Sequence, residues 1–135
     1  MSADAWENPL TGRYASTEMS ALFSARHKFA TWRKLWLWLA EAEQELGLAI
    51  PDAALDALRA RLVPTDGELA AAERYERETK HDVMAQIHAL GDAAPEARPF
   101  LHLGATSAFV GDNADLLVLR DALSQARDAR LDILG

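Results

Sequence analysis

The chain has 135 residues, with 14 Lys plus Arg against 21 Asp plus Glu, no Cys, and a formal net charge of −7. A composition 50% hydrophobic and 26% charged excludes wholesale disorder and suits one domain burying roughly two-thirds of its unfolded surface. The missing cysteines exclude disulfides, thiolate ligands and a cysteine nucleophile, and the acidic balance excludes the basic field of a general nucleic-acid binder.

The first fifteen residues contain Asp4, Glu7, Asn8 and Pro9 and no apolar core, unlike a secretory signal. The most apolar stretch, Leu35 to Ala42, falls far short of the ~20 residues that span a bilayer. A soluble, cytoplasmic protein that engages no membrane is therefore expected.

Asn8-Pro9 and Thr11-Gly12 are turn signals, and residues 1–16 are predicted to form an extended arm. From Ser20 to Leu46, Phe29, Trp32, Trp36, Leu39 and Leu46 recur at helical spacing, predicting one helix stopped by Gly47. Three tryptophans at 32, 36 and 38 are read as packing residues rather than an aromatic platform. Pro51 opens a short helix carrying Leu55, Leu58 and Leu62. Thr65 and Glu68 have capping-box spacing and start another, which runs past Tyr75 into the charged patch at 76–78. Val83, Ile87 and Leu90 mark a further helix ending near Gly91. Pro95 to Gly104 is predicted non-helical, with alternation only over Pro99 to Leu103. Helix resumes near Ser107 or Asp112 and continues to Leu134. The fold class is all-α.

Three clusters can carry chemistry. Arg13-Tyr14 is either a solvated arginine beside a packing aromatic or a phosphate site, since a guanidinium fork and a phenol both donate to phosphate. Lys80-His81-Asp82 is either the first turn of a helix or a set that pairs an anion, exchanges a proton and orients its neighbours. In the stretch from His102 to Ser107, Thr106 or Ser107 serves as an N-cap, and a helix N-terminus with a glycine and two hydroxyls also suits an anion. His102 by itself reads as structural. Asp112, Asn113 and Asp115 lack EF-hand spacing, and His81 and His88 lack metalloprotease spacing, so no metal site is expected.

Taken in order, Arg13 to Ser16, Thr31 to Glu43, Lys80 to Ala85, His102 to Ser107 and Gly111 to Asp115 closely resemble the amino-terminal region of the adenylosuccinate lyases. This family lies in the fumarase/aspartase superfamily of helical homotetramers with shared active sites. The resemblance implies a helical amino-terminal lyase domain over residues 17–106. It also implies, over 107–135, the start of a helix leading toward a central bundle that is largely absent.

By the same resemblance the activity is β-elimination of fumarate from adenylosuccinate, giving AMP, and from the succinyl precursor of aminoimidazole carboxamide ribotide. The substrate is a purine nucleotide, and neither metal nor organic cofactor is implied. Arg13 and Tyr14 would meet the phosphate. Lys80, His81 and Asp82 match a substrate-binding triplet whose first position is often Arg, and Thr106 and Ser107 match the pair that holds the succinyl group. The family's base is a serine on a mobile loop and its acid a central-domain histidine, both beyond position 135. No catalytic residue is therefore assigned here, His81 being at most auxiliary, and the isolated chain is expected to be inactive. A non-catalytic helical module is the alternative. An HD-type metal phosphohydrolase would need a further His and Asp around the His81-Asp82 pair.

Overall fold

The computed structural model describes Asp4 and residues 8–134, with side chains up to Leu131. Seven α-helices and one 3-10 turn follow in chain order among the described residues, with no strand. They are α1 (Thr11–Tyr14), α2 (Thr17–Leu22), α3 (Ala25–Glu45), α4 (Asp52–Arg59), α5 (Asp66–Thr79), α6 (Asp82–Ala93), the 3-10 turn (Arg98–Phe100) and α7 (Ser107–Leu134). None is long and apolar enough to cross a membrane.

Helix α3 is the spine. Trp32, Leu35, Trp36, Leu37 and Ala40 are buried along it, against Ala54, Leu55 and Leu58 of α4 and Val110 and Ala114 of α7. Trp36 is only 1% exposed, and Trp32 meets both Phe29 and Trp36 edge-on, at ring separations of 5.3 and 6.2 Å. Edge-to-face rings add to area burial, and cutting such a side chain to alanine costs about 3–5 kcal/mol. Packing thus accounts for Trp32 and Trp36, while Trp38 lies on the exposed side. Gly47 ends the spine in a left-handed conformation at φ +99°, its N–H bonding to Gln44 O and that of Leu48 to Glu43 O. This is the Schellman arrangement that a glycine after a helix permits.

Three segments differ from the periodicity, the shortest being α4, which ends at Arg59 and leaves Leu62 outside it. The single helix expected from Ser20 to Leu46 is divided into α2 and α3. Ser24 adopts an extended backbone, ψ 155°, and its hydroxyl accepts from His27 N, so a cap competes with helix continuation at that point. Among the described residues of the arm, Thr11–Tyr14 form a helical turn, α1, entered where Asn8 Oδ1 accepts from Leu10 N at 2.7 Å, and the rest of the expected arm falls partly outside the described residues. Elsewhere α5 and α6 pack together, and Asp92 of α6 takes the Tyr75 hydroxyl at 2.6 Å while pairing with Arg98 of the 3-10 turn. Of the five prolines, Pro9, Pro51, Pro64 and Pro95 lie outside the helices, and Pro99 falls in the 3-10 turn rather than a strand.

One ion pair is built into the core. Arg33, 2% exposed, donates from Nη1 to Arg61 O at 2.8 Å and lies 3.5 Å from Glu68 Oε2. Glu68 also completes the capping box of α5, accepting from Thr65 N at 2.6 Å while Thr65 Oγ1 accepts from Glu68 N. Burial pushes the Glu68 carboxyl up; the Thr65 bonds and the Arg33 and Arg61 charges outweigh it, leaving its pKa below the ordinary value. Burial lowers the Arg33 pKa, with Glu68 opposing, so the cation depends on its partner.

A carboxylate whose pKa is depressed on folding contributes stability above its unfolded value, lost as pH falls through the folded one. Urea denaturation should therefore show stability falling below about pH 4.5, the ordinary value for this group. Glu68→Gln should cost about 2–4 kcal/mol at neutral pH, because it leaves Arg33 buried without a counter-charge, and should flatten that acid limb. An unchanged urea midpoint at neutral pH would contradict this role.

Candidate functional site

The Lys80 to Asp82 segment is the corner between α5 and α6. Lys80 closes α5 in the left-handed region, φ 54°, ψ 32°, and leaves its side chain exposed. His81 then turns extended and caps α6, its Nδ1 accepting from Met84 N at 3.3 Å. Asp82 is the first residue of α6, where a carboxylate complements the helix dipole, and its Oδ1 accepts from Val83 N at 2.8 Å.

A second helix begins beside the first. The stretch after the 3-10 turn reverses through two left-handed residues, His102 at φ 61° and Gly104 at φ 66°, before α7 opens at Ser107. Gly104 meets that demand without a Cβ, and one built there would lie 3.8 Å from Glu43 Oε1 of α3. Burial holds the Glu43 carboxyl above its ordinary pKa. His102 is anchored to the spine: Trp36 Nε1 donates to its Nδ1 at 3.0 Å. Burial, then the nearby His81, hold its pKa below the ordinary value, so His102 serves as a neutral acceptor. The structural assignment of His102 is the one the fold uses.

The two corners meet at one contact, 3.2 Å between His81 Nε2 and Ser107 Oγ. The cap fixes which nitrogen carries the proton. Nδ1 must be unprotonated to accept from Met84 N–H, so Nε2 bears the hydrogen in the neutral ring and donates to Ser107. The pair of helix N-termini, the ring N–H, the two hydroxyls and exposed Lys80 together suit an anion, a carboxylate or a phosphate.

The structure thus joins two of the three clusters, with Thr106 exposed immediately before Ser107. Arg13 and Tyr14 lie on α1, which buries no residue, and Tyr14 is 77% exposed. No group of three or more His, Cys, Asp or Glu residues with metal-binding geometry occurs among the described residues.

One neighbour of the site escapes the sequence pattern. Lys28 of α3 places Nζ 3.7 Å from Asp82 Oδ2, with the Trp32 ring centroid at 4.7 Å and that of Phe29 at 5.4 Å. Its spacing to Phe29 and Trp32 is the only signal, and that spacing describes packing as readily as an ion pair.

No protein-family model matches the chain. It is 53% identical over 120 residues to the adenylosuccinate lyase of Saccharomyces cerevisiae, an alignment covering 88% of this chain and 25% of the relative. The adenylosuccinate lyase of Schizosaccharomyces pombe is 52% identical over 119 residues, 87% of this chain and 25% of that one. That of Schistosoma mansoni is 48% identical over 119 residues, 88% and 24% respectively. Matches of this extent take in both corners of the site and the spine that holds them. By sequence the chain belongs to the adenylosuccinate lyases, and it spans about a quarter of the length of these curated relatives.

Proposed function

We propose that this chain supplies part of the substrate-binding site of an adenylosuccinate lyase, a cytoplasmic enzyme of purine synthesis that releases fumarate by β-elimination. The observation that carries this is the His81–Ser107 contact, which unites two separated motifs within a chain 53% identical to a curated adenylosuccinate lyase. In that role Arg13 and Tyr14 meet the nucleotide phosphate, and Thr106 and Ser107 meet the succinyl carboxylates at the start of α7. Lys80 adds a point charge, where an arginine would add a fork.

Eliminating the departing nitrogen requires removal of a proton beside a carboxylate, which builds negative charge on that carboxylate. Fixed donors aimed there help most in the transition state. His81 suits this as a donor through Nε2. Its other nitrogen is engaged by the α6 cap, so charging the ring would break that cap. Base and acid are assigned to the remaining three-quarters of the enzyme, in a homotetramer with shared sites.

Splicing this chain in place of the matching 120 residues of the yeast enzyme should give a lyase that releases fumarate from adenylosuccinate. The 135-residue chain alone should release none above background. A silent hybrid that folds and assembles, or turnover by the isolated chain, would overturn this assignment. In the hybrid, Arg13→Ala should raise KM about tenfold with little change in kcat, as expected for a contact kept from ground state to transition state. An unchanged KM would make Arg13 structural. His81→Asn preserves an acceptor for the α6 cap but removes the ring donor. It should hold thermal stability within about 1 kcal/mol while lowering kcat/KM at least about tenfold. Full activity in this variant would remove His81 from the site.

A further inference from the structure

We propose that Lys28 is a further positioning residue of this site: seated on the faces of Trp32 and Phe29, its ammonium holds Asp82 at the start of α6 and offsets its charge where an anionic substrate binds. The inference rests on the lyase assignment for its functional half and on geometry alone for its structural half.

Asp82 presents a difficulty to any ligand bearing carboxylates or phosphate. Its side chain is 46% exposed and belongs to the residue next to His81, so its charge faces the region where substrate anions would approach. The α6 dipole and the Val83 N–H engage Oδ1 but leave Oδ2 available. Lys28 Nζ stands 3.7 Å from that second oxygen. An exposed lysine–carboxylate pair is ordinarily weak, because two flexible side chains must be ordered together. Here the lysine end is already confined: its ammonium lies 4.7 Å from the Trp32 ring centroid and 5.4 Å from that of Phe29. A cation within about 6 Å of an aromatic face is attracted by the ring quadrupole.

Trp32 cannot swing away, being 2% exposed and packed edge-on against Trp36. The spine therefore fixes Lys28, and Lys28 carries that order to Asp82. Of the other charged or titratable groups nearby, Asp115 of α7, which lines the groove of about 280 Å³ beside Lys28, is of the wrong sign, Lys80 at the corner is exposed, and His81 Nδ1, 4.0 Å from Asp82 Oδ1, is taken up in accepting from Met84 N.

Two measurements test this separately. In the 135-residue chain, ring current from Trp32 should shift the Lys28 ε-methylene protons upfield in the NMR spectrum, and Asp82→Asn should partly relax that shift. Ordinary lysine positions, or a shift indifferent to Asp82→Asn, would overturn the placement. In the spliced yeast hybrid, Lys28→Met keeps the stem against the rings but removes the charge. It should raise KM for adenylosuccinate roughly three- to tenfold with kcat within about twofold, and Lys28→Arg should recover most of the loss. An unchanged KM in Lys28→Met, or a Lys28→Arg variant equally impaired, would overturn the positioning role. A hybrid silent before any substitution would count against the lyase assignment instead, and the proton shift would then decide the placement of Lys28.

Discussion

An imidazole has two nitrogens, and in this chain each serves a different helix. Through Nδ1, His81 caps α6 at Met84 N; through Nε2 it reaches Ser107 at the start of α7. The arrangement brings two helix N-termini to one place, though they lie 25 residues apart in sequence, Asp82 to Ser107. With Nδ1 accepting from Met84 N, Nε2 is the nitrogen left to donate, and the ring is held pointing at Ser107.

Helix α3 sets a side chain against each of the two corners. Trp36 takes the His102 ring at the base of the turn into α7, while Trp32 lies under Lys28 opposite Asp82. Two tryptophans one helical turn apart thus reach the two halves of the site while packing against each other. On another side of the same helix, Arg33 is committed to the Arg61 carbonyl and to Glu68, which ties the entrance of α5 to the spine. A buried ion pair of this kind is weak evidence for added stability. Its clearer consequence is a direct tie between α3 and the start of α5, the helix that ends at Lys80.

Helix existence was legible in the sequence because apolar spacing and punctuation agreed. Thr65 and Glu68 announced a capping box that forms as expected, and Gly47 stops α3 in the predicted way. The break at Ser24 was not legible: apolar residues continue across it, and only the local competition between a hydroxyl cap and the helix ladder divides α2 from α3. In the site, residue types at positions 80–82 and 106–107 pointed to anion chemistry, and the family resemblance ordered them. Their contact depends on the turn through His102 and Gly104, whose left-handed backbone no periodicity encodes. Lys28 was hidden for a related reason, since its partner Asp82 is distant in sequence and its aromatic seat reads as core.

The most direct measurement is long-range nitrogen–proton correlation of the His81 ring by NMR, made on the 135-residue chain. A single tautomer is expected, protonated at Nε2 with Nδ1 unprotonated, and it should persist in Ser107→Ala because the α6 cap sets it. A ring protonated at Nδ1, or one averaging between tautomers as in a free imidazole, would show that His81 does not cap α6 and reach Ser107 in this way.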